Sequence, residues 1–353
     1  MTKSINPPPP PEIRIASLDG LRGIAVLMVV LYHYFQRFPE FTPYEDQLLP
    51  WTSYGYLGVH LFFMISGFVI AFTLERGKPP LDFVIRRFLR LWPPILVCSI
   101  FTFTVMYLVD SPFTVARRVD VSGFLPSLTF IQPSIWAKIL PVDNYIDGAY
   151  WSLFVEVRFY FWALMLSFLV GMRKFAIIAF AATSLLVVAW HSLEQPAIRF
   201  QLDMLFFVSY LPLFTIGILA YEAMVRRHFL LIVPCIVLTW CFEISMLSDA
   251  VEIVAITLFC MLFIGLAVRP TSMDWLSSSP LVGLGVISYA LYLLHQNIGV
   301  TFIGLLPRGL SDMTYFFLVF GILSFIIVMS WLVFLLVEKP SQGIARRLTA
   351  VWL

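Results

Sequence analysis

Ten apolar runs, each close to the length of a membrane span, dominate this chain. A helix needs about 20 mostly apolar residues to cross a hydrocarbon layer roughly 30 Å thick. Runs that meet this demand fall near 21–38, 55–74, 91–109, 150–171, 174–192, 204–222, 229–247, 251–268, 283–306 and 314–337. Backbone polar groups cannot stay unpaired in lipid, so runs of this length must be helical. The predicted class is all-α: a polytopic membrane protein with about ten transmembrane helices. Composition agrees, with 60% hydrophobic residues, 12% charged residues and a mean hydropathy of +0.90. Soluble domains carry about 25% charged residues. A soluble enzyme and a disordered chain are thereby excluded, and a net charge of only +2 excludes a basic nucleic-acid binder. Cys98, Cys235, Cys241 and Cys260 lie in apolar runs without CxxC or CxxH spacing. They read as small buried residues, and neither a disulfide framework nor a metal site is implied.

Residues 1–20 are polar, include the run Pro7 to Pro11 and lack a small-residue cleavage site. An extended tail is expected there rather than a signal peptide. The transmembrane domain is expected over 21–338, with a second tail over 339–353. Lys and Arg placement orients the chain. With the N-terminus in the cytoplasm, 16 of the 23 fall on the cytoplasmic side and 6 on the other, while Arg158 lies inside a span. The positive-inside bias therefore predicts both termini cytoplasmic. The segment 110–149 is expected outside and is rich in Pro and aromatic residues, with Trp136, Asp143 and Asp147. A loop this long is either a lid or substrate platform, or a plain connector.

Ionisable groups inside a bilayer cost about 2.5–3.5 kcal/mol each on insertion scales, so they are functional candidates. Arg22 and His33 are eleven residues apart, which puts them on one helix face about 16 Å apart along the axis. Arg22 belongs at the cytoplasmic headgroup level and His33 past mid-depth. Glu156 lies about 9 Å inside its span and His295 about 18 Å along its own, so these two share the depth of His33. Equal depth leaves the rotation of each helix open. Glu156 and Arg158, two residues apart, do not face each other and are expected to have different partners. The alternative for each is an interhelical contact that only holds the bundle. His60 begins its span at the outer interface. Arg86, Arg87 and Arg90 fall at i,i+3 and i,i+4 spacing, so one helical patch presents three guanidiniums. Such a patch suits phosphate binding; it equally serves as a topology signal with headgroup contacts.

Taken together these residues resemble membrane-bound acyltransferase family 3, the polytopic O-acyltransferases that modify bacterial sugars and some natural products. The start, Ser17-Leu18-Asp19-Gly20-Leu21-Arg22 through His33, is similar to the family's opening, including its Arg-ten-residues-His spacing. Gly58 to Phe68 is similar to its second-span motif, and Arg86, Arg87 and Arg90 to its arginine cluster. Trp151-Ser152-Leu153 to Glu156 with Phe159-Tyr160 matches the fourth span, Ile287-Ser288-Tyr289 with Tyr292 and His295 the ninth, and Val337-Glu338-Lys339-Pro340 the end. Six motifs in the right order cover about residues 15–345. The chain departs from the family at His60, often acidic there, and at Val157-Arg158, often Glu-Gln. No appended hydrolase-like domain is expected after the last span.

The resemblance implies an acyl-CoA donor from the cytoplasm, acetyl by default, and a hydroxyl acceptor on a carbohydrate, glycolipid or small molecule. CoA phosphates need cations, and Arg22, Arg86, Arg87 and Arg90 supply them at the inner face. His33 is the expected general base, because imidazole titrates near neutral pH. Glu156 is expected to orient His33 or stabilise its imidazolium, as the third member of a triad does. Tyr289 and His295 are expected to position the acceptor or the oxyanion, with His60, Trp151 and Ser152 as further positioning residues. An acyl-His33 intermediate is a competing route. The rival classes are a transporter with an intramembrane His/Glu proton relay and a scaffold subunit; no internal repeat of the transporter kind is visible.

Overall fold

The computed structural model describes residues 16–44 and 49–352. The Pro7 to Pro11 run of the expected tail lies outside the described residues. Sixteen helices follow in chain order: α1 (Ala16–Phe35), α2 (Gly58–Glu75), α3 (Pro80–Leu108), α4 (Pro112–Arg117), α5 (Phe124–Thr129), α6 (Pro133–Trp136), α7 (Trp151–Val170), α8 (Met172–Ser192), α9 (Pro196–Phe206), α10 (Leu211–Arg226), α11 (Phe229–Ile244), α12 (Ala250–Val268), α13 (Ser279–Val286), α14 (Ser288–Gly304), α15 (Asp312–Val333) and α16 (Lys339–Trp352). Among the described residues there is no strand. Among the described residues eight helical segments are long and apolar enough to cross a membrane, and the bent pair α13–α14 makes a ninth. The remaining run, 229–247, forms α11, apolar but only 16 residues long.

Four segments differ informatively from what their apolarity predicts. α3 begins at Pro80, so the arginine cluster and the span are one helix of 29 residues. Pro79 caps it, Pro80 takes its first position, and Asp82 sits in its first turn, where the helix dipole favours an anion. The run 204–222 is broken: α9 ends at a left-handed Phe207 and α10 starts at Leu211. α13 and α14 meet at 71°. Residues 339–352, expected as a tail, form the helix α16, joined to α15 through a π-helical turn, Phe334–Glu338.

The core is built on α1, α2 and α10. Gly67 of α2 and Gly217 of α10 let the two backbones touch: a Cβ on Gly67 would come within 2.0 Å of the Phe214 carbonyl oxygen, and one on Gly217 within 2.0 Å of that of Met64. Small residues bring membrane helices this close because lipid supplies no hydrophobic drive between them. α7 packs on α2, while α14 packs against α1, α3 and α15. These helices define two ends. The arginine end holds Arg22, the start of α3 and α16. The loop end holds His33 and the segment 110–149.

That segment folds. A capping box between Ser111 and Thr114 starts α4, and the segment closes on Asp147, which is fully buried. The Asp147 carboxylate accepts the Ala149 N–H (2.9 Å) and the Asn297 N–H of α14 (3.0 Å). The Asn297 side chain donates back to the Ile146 carbonyl (3.0 Å). The loop is thus fastened to α14 two residues beyond His295.

Candidate active site

A cavity of about 660 Å³ opens at the arginine end. Arg22, Arg76, Lys78, Arg86, Arg87, Arg90 and Arg346 line it, against three carboxylates, Asp19, Asp82 and Glu338. Hydrogen bonds and ion pairs fix three of these cations. Arg86 is clamped by Asp82 one turn earlier (2.9 Å) and donates to Thr349 of α16 (2.8 Å), so α16 is tied over the cavity. Arg87 donates to Thr73 (2.8 Å) and lies 5.2 Å from the Tyr160 ring. Arg22 is held by Asp19 one turn earlier (3.3 Å). The cavity narrows to a neck at Arg22, Arg90, Ser288 and Tyr289, which also line a smaller pocket of about 70 Å³. The bend between α13 and α14 puts Ser288 and Tyr289 at this neck. Broken helices often mark binding sites in membrane proteins.

Polar side chains from three helices surround the small pocket: Ser66 of α2, Ser152, Glu156 and Tyr160 of α7, and Tyr292 of α14. Glu156 accepts from Ser66 (2.7 Å) and from the Tyr160 hydroxyl. Tyr292 pairs with Ser152 (2.8 Å) and donates to the Ala149 carbonyl (2.8 Å). Tyr289 donates to the Leu91 carbonyl (2.8 Å).

One helical turn beyond Tyr292 stands His295, fully buried, and against it stands His33. The rings meet edge to face at 4.8 Å, with His33 Nδ1 and His295 Nε2 3.3 Å apart. Each Nδ1 lies 2.8 Å from a carbonyl of its own helix, Val29 for His33 and Tyr292 for His295. A carbonyl only accepts, so both rings carry the proton on Nδ1. His33 Nε2 is then the unprotonated nitrogen, and His295 Nε2 is an acceptor facing the His33 Nδ1–H. Gln296 is a further side-chain partner of His33, and its amide is steered by a bond to Asn297 (3.1 Å).

The structure therefore brings Arg22, Arg86, Arg87 and Arg90 to one cavity, and Glu156, Ser152 and Tyr289 to the pocket that continues it. His33 and His295 form a pair beyond that pocket. Glu156 does not join them. The partner expected from its depth is His33, but α7 docks on α2, so its carboxylate turns to Ser66 and Tyr160, and His295 stands beside His33 instead. A His33–Glu156 relay is not formed. His60 and Trp151 line neither cavity. The His60 ring faces Tyr210 (5.8 Å) and Tyr56 (6.5 Å), and Trp151 packs on Tyr210 (5.5 Å). Arg158, as expected, has partners other than those of Glu156: it donates to the Asp203 (3.3 Å) and Met204 carbonyls at the end of α9. It satisfies the backbone where that helix breaks inside the bundle.

Sequence reading missed Arg76, Lys78, Arg346 and Glu338 as cavity residues. The first two lie in the turn between spans, Glu338 closes the π-helical turn after α15, and Arg346 reaches the cavity because 339–352 is helical. The signal was available: Ile344, Ala345, Leu348 and Thr349 alternate with Gln342, Arg346 and Arg347 at helical spacing.

Comparison with known proteins supplies the context. The profile of a family described as acyltransferase domain matches residues 15–335. Acyltransferase MdmB of Streptomyces mycarofaciens is 32% identical over 160 residues, 43% of this chain and 39% of that protein. A putative O-acetyltransferase of Staphylococcus aureus strain COL is 30% identical over 175 residues, 45% of this chain and 26% of that protein. O-acetyltransferase OatA of Staphylococcus aureus is 29% identical over 175 residues, with the same shares. The chain thus spans well under half the length of these relatives. No solved structure matches the chain.

Proposed function

Because the chain belongs to the acyltransferase 3 family, we propose that it is an integral membrane O-acyltransferase that moves an acyl group, acetyl by default, from cytoplasmic acyl-CoA to an acceptor hydroxyl. The observation that carries this reading is a cationic cavity that shares its neck with a polar pocket, whose Tyr292 ring lies 5.5 Å from that of His295 in the histidine pair. Phosphates of a nucleotide thioester match the guanidinium-rich cavity, because Arg binds phosphate through two parallel charge-assisted hydrogen bonds. A long flexible arm then passes the neck between Arg22 and Arg90. Glu156, fixed by Ser66 and Tyr160, sets the field at that neck and acts as a positioning residue.

The chemistry follows from the tautomers. The acceptor hydroxyl attacks the thioester carbon while His33 Nε2 takes its proton. The resulting imidazolium donates its Nδ1–H to the Val29 carbonyl and to His295 Nε2, so His295 does for His33 what a third triad member does. The tetrahedral intermediate collapses, the C–S bond breaks, and the thiolate recovers the proton from His33. The N-terminus is assigned to the cytoplasm, with the arginine end facing the donor. The test is transfer or hydrolysis of radiolabelled acetyl-CoA by purified protein in lipid nanodiscs. Measurable turnover that His33→Ala lowers by about 10²–10⁴-fold is expected. Wild-type protein that neither binds nor turns over acetyl-CoA would falsify the reading.

A further inference from the structure

The loop end of the histidine pair carries a feature the donor reading leaves unused. Arg37, just past α1, and Arg117, the last residue of α4, come from different segments and converge on one aromatic ring. Their guanidinium carbons lie 5.3 Å and 5.6 Å from the centre of Phe38. Phe38 is itself buried and packs edge to face on Phe113 of α4 at 5.3 Å, so the ring is a fixed platform. The same ring lies 6.1 Å from that of His33, and the Arg37 charge acts on that imidazole.

Both arginines are exposed, and among the described residues neither makes an ion pair. The adjacent Arg118 is different: it is tied to Asp110 (3.3 Å) and to the Met106 carbonyl (2.9 Å). Two guanidiniums on one ring repel each other, and cation–π attraction at exposed sites is worth only about 0.5–1 kcal/mol. They also belong to the minority of cations placed against the positive-inside bias. An anion shared between them removes the repulsion.

We infer that Arg37 and Arg117 form a subsite for a phosphate or carboxylate carried by the acceptor, one aromatic ring away from the base. This rests on the proposed acyl transfer and names its acceptor class: a hydroxyl compound bearing an anionic group, entering from the loop end, opposite the donor. The anion anchors the acceptor on Phe38 and leaves its hydroxyl to reach His33 Nε2. An anionic lipid headgroup shares this chemistry, and the experiment separates the two sources.

The test is phenylglyoxal labelling of arginines in the full chain, read by peptide mass spectrometry, in phosphatidylcholine nanodiscs. Glucose 6-phosphate and glucuronate should protect Arg37 and Arg117, glucose should not, and Arg118 should not respond. In Arg117→Gln, protection of Arg37 should need about tenfold more glucose 6-phosphate, the loss of one charge-assisted contact. Arg37 protected equally well in Arg117→Gln overturns the shared subsite. So does protection by phosphatidylglycerol alone with no response to the soluble anions, which assigns the pair to headgroups. The labelling needs no acetyl-CoA turnover, so a failed donor reading and a failed subsite give different results.

Discussion

His33 and His295 share a tautomer because each sits one turn from a carbonyl of its own helix, and that shared constraint makes them act as one unit. Groups that act as a unit lose activity non-additively. His33→Ala should cost about 10²–10⁴-fold in acyl transfer and His295→Ala a smaller factor, while the double variant should be no slower than His33→Ala alone. Additive losses in kcat would sink the coupling. Asp147 gives a second prediction. Burial outweighs its two N–H bonds and pushes its carboxyl up to about 7 from 3.8. A carboxyl with a raised folded value binds its proton better when folded. Its stabilising contribution is whole below about pH 4 and is lost as pH rises through about 7. At about 1.4 kcal/mol per pKa unit the full change is of the order of a few kcal/mol. Thermal unfolding of solubilised protein should weaken over that window, and Asp147→Asn should flatten the slope; an unchanged slope removes Asp147 as its cause. At this scale the sequence disclosed depth but not direction. Spacing along a helix placed His33, Glu156 and His295 at one level, whereas the rotation of α7 depends on Ser66 and Tyr160, which no spacing rule ranks above His33.

Helices were legible wherever apolarity alone sets them, as in α1, α2 and α12. The breaks were not. The end of α9 and α10 read as one run, 204–222, because Phe207 to Tyr210 is as apolar as its flanks; the break is held by Arg158 of α7, which meets the Asp203 and Met204 carbonyls, and by the Asp203 carboxylate of α9, which accepts the Ser209 N–H (2.9 Å). Residues 339–352 read as a tail because their mean hydropathy is low, although their apolar positions recur at helical spacing. Element packing yields its own prediction. α13 lies against α1 so closely that a Cβ on Gly285 would approach the Asp19 carbonyl oxygen to 1.8 Å. Gly285→Ala must push α13 from α1, and overpacking of this kind costs typically about 1–3 kcal/mol. Asp19 holds Arg22, so the displacement reaches the neck of the cationic cavity, the proposed donor site. The variant should melt earlier and show a raised KM for acetyl-CoA with a smaller change in kcat. A kcat loss with KM unchanged would mean that α1 and α13 do not set the donor site.

At the scale of the whole molecule, the proposed function gives donor and acceptor separate entrances. The donor cavity opens at the arginine end, the Arg37–Arg117 pair stands at the loop end, and the histidine pair lies between them. CoA is polyanionic and does not cross roughly 30 Å of hydrocarbon, and charged transmembrane steps are costly for an anionic acceptor as well. A protein that meets one substrate from each side needs only to pass the acyl group, the smallest and least polar part of the reaction. Proteoliposomes test this directly. After protein with the unwanted orientation is inactivated by an impermeant reagent, acetyl-CoA is supplied on one side only and the acceptor on the other. Product should form when acetyl-CoA faces the arginine end and the acceptor faces the loop end, and the reverse arrangement should give none. Arg87→Ala should raise the acetyl-CoA concentration needed from the arginine side without altering the acceptor dependence on the other, because Arg87 lines only the donor cavity. Equal product from both arrangements, or product only when both substrates share one side, would show that a single entrance serves both and that the bundle does not divide them.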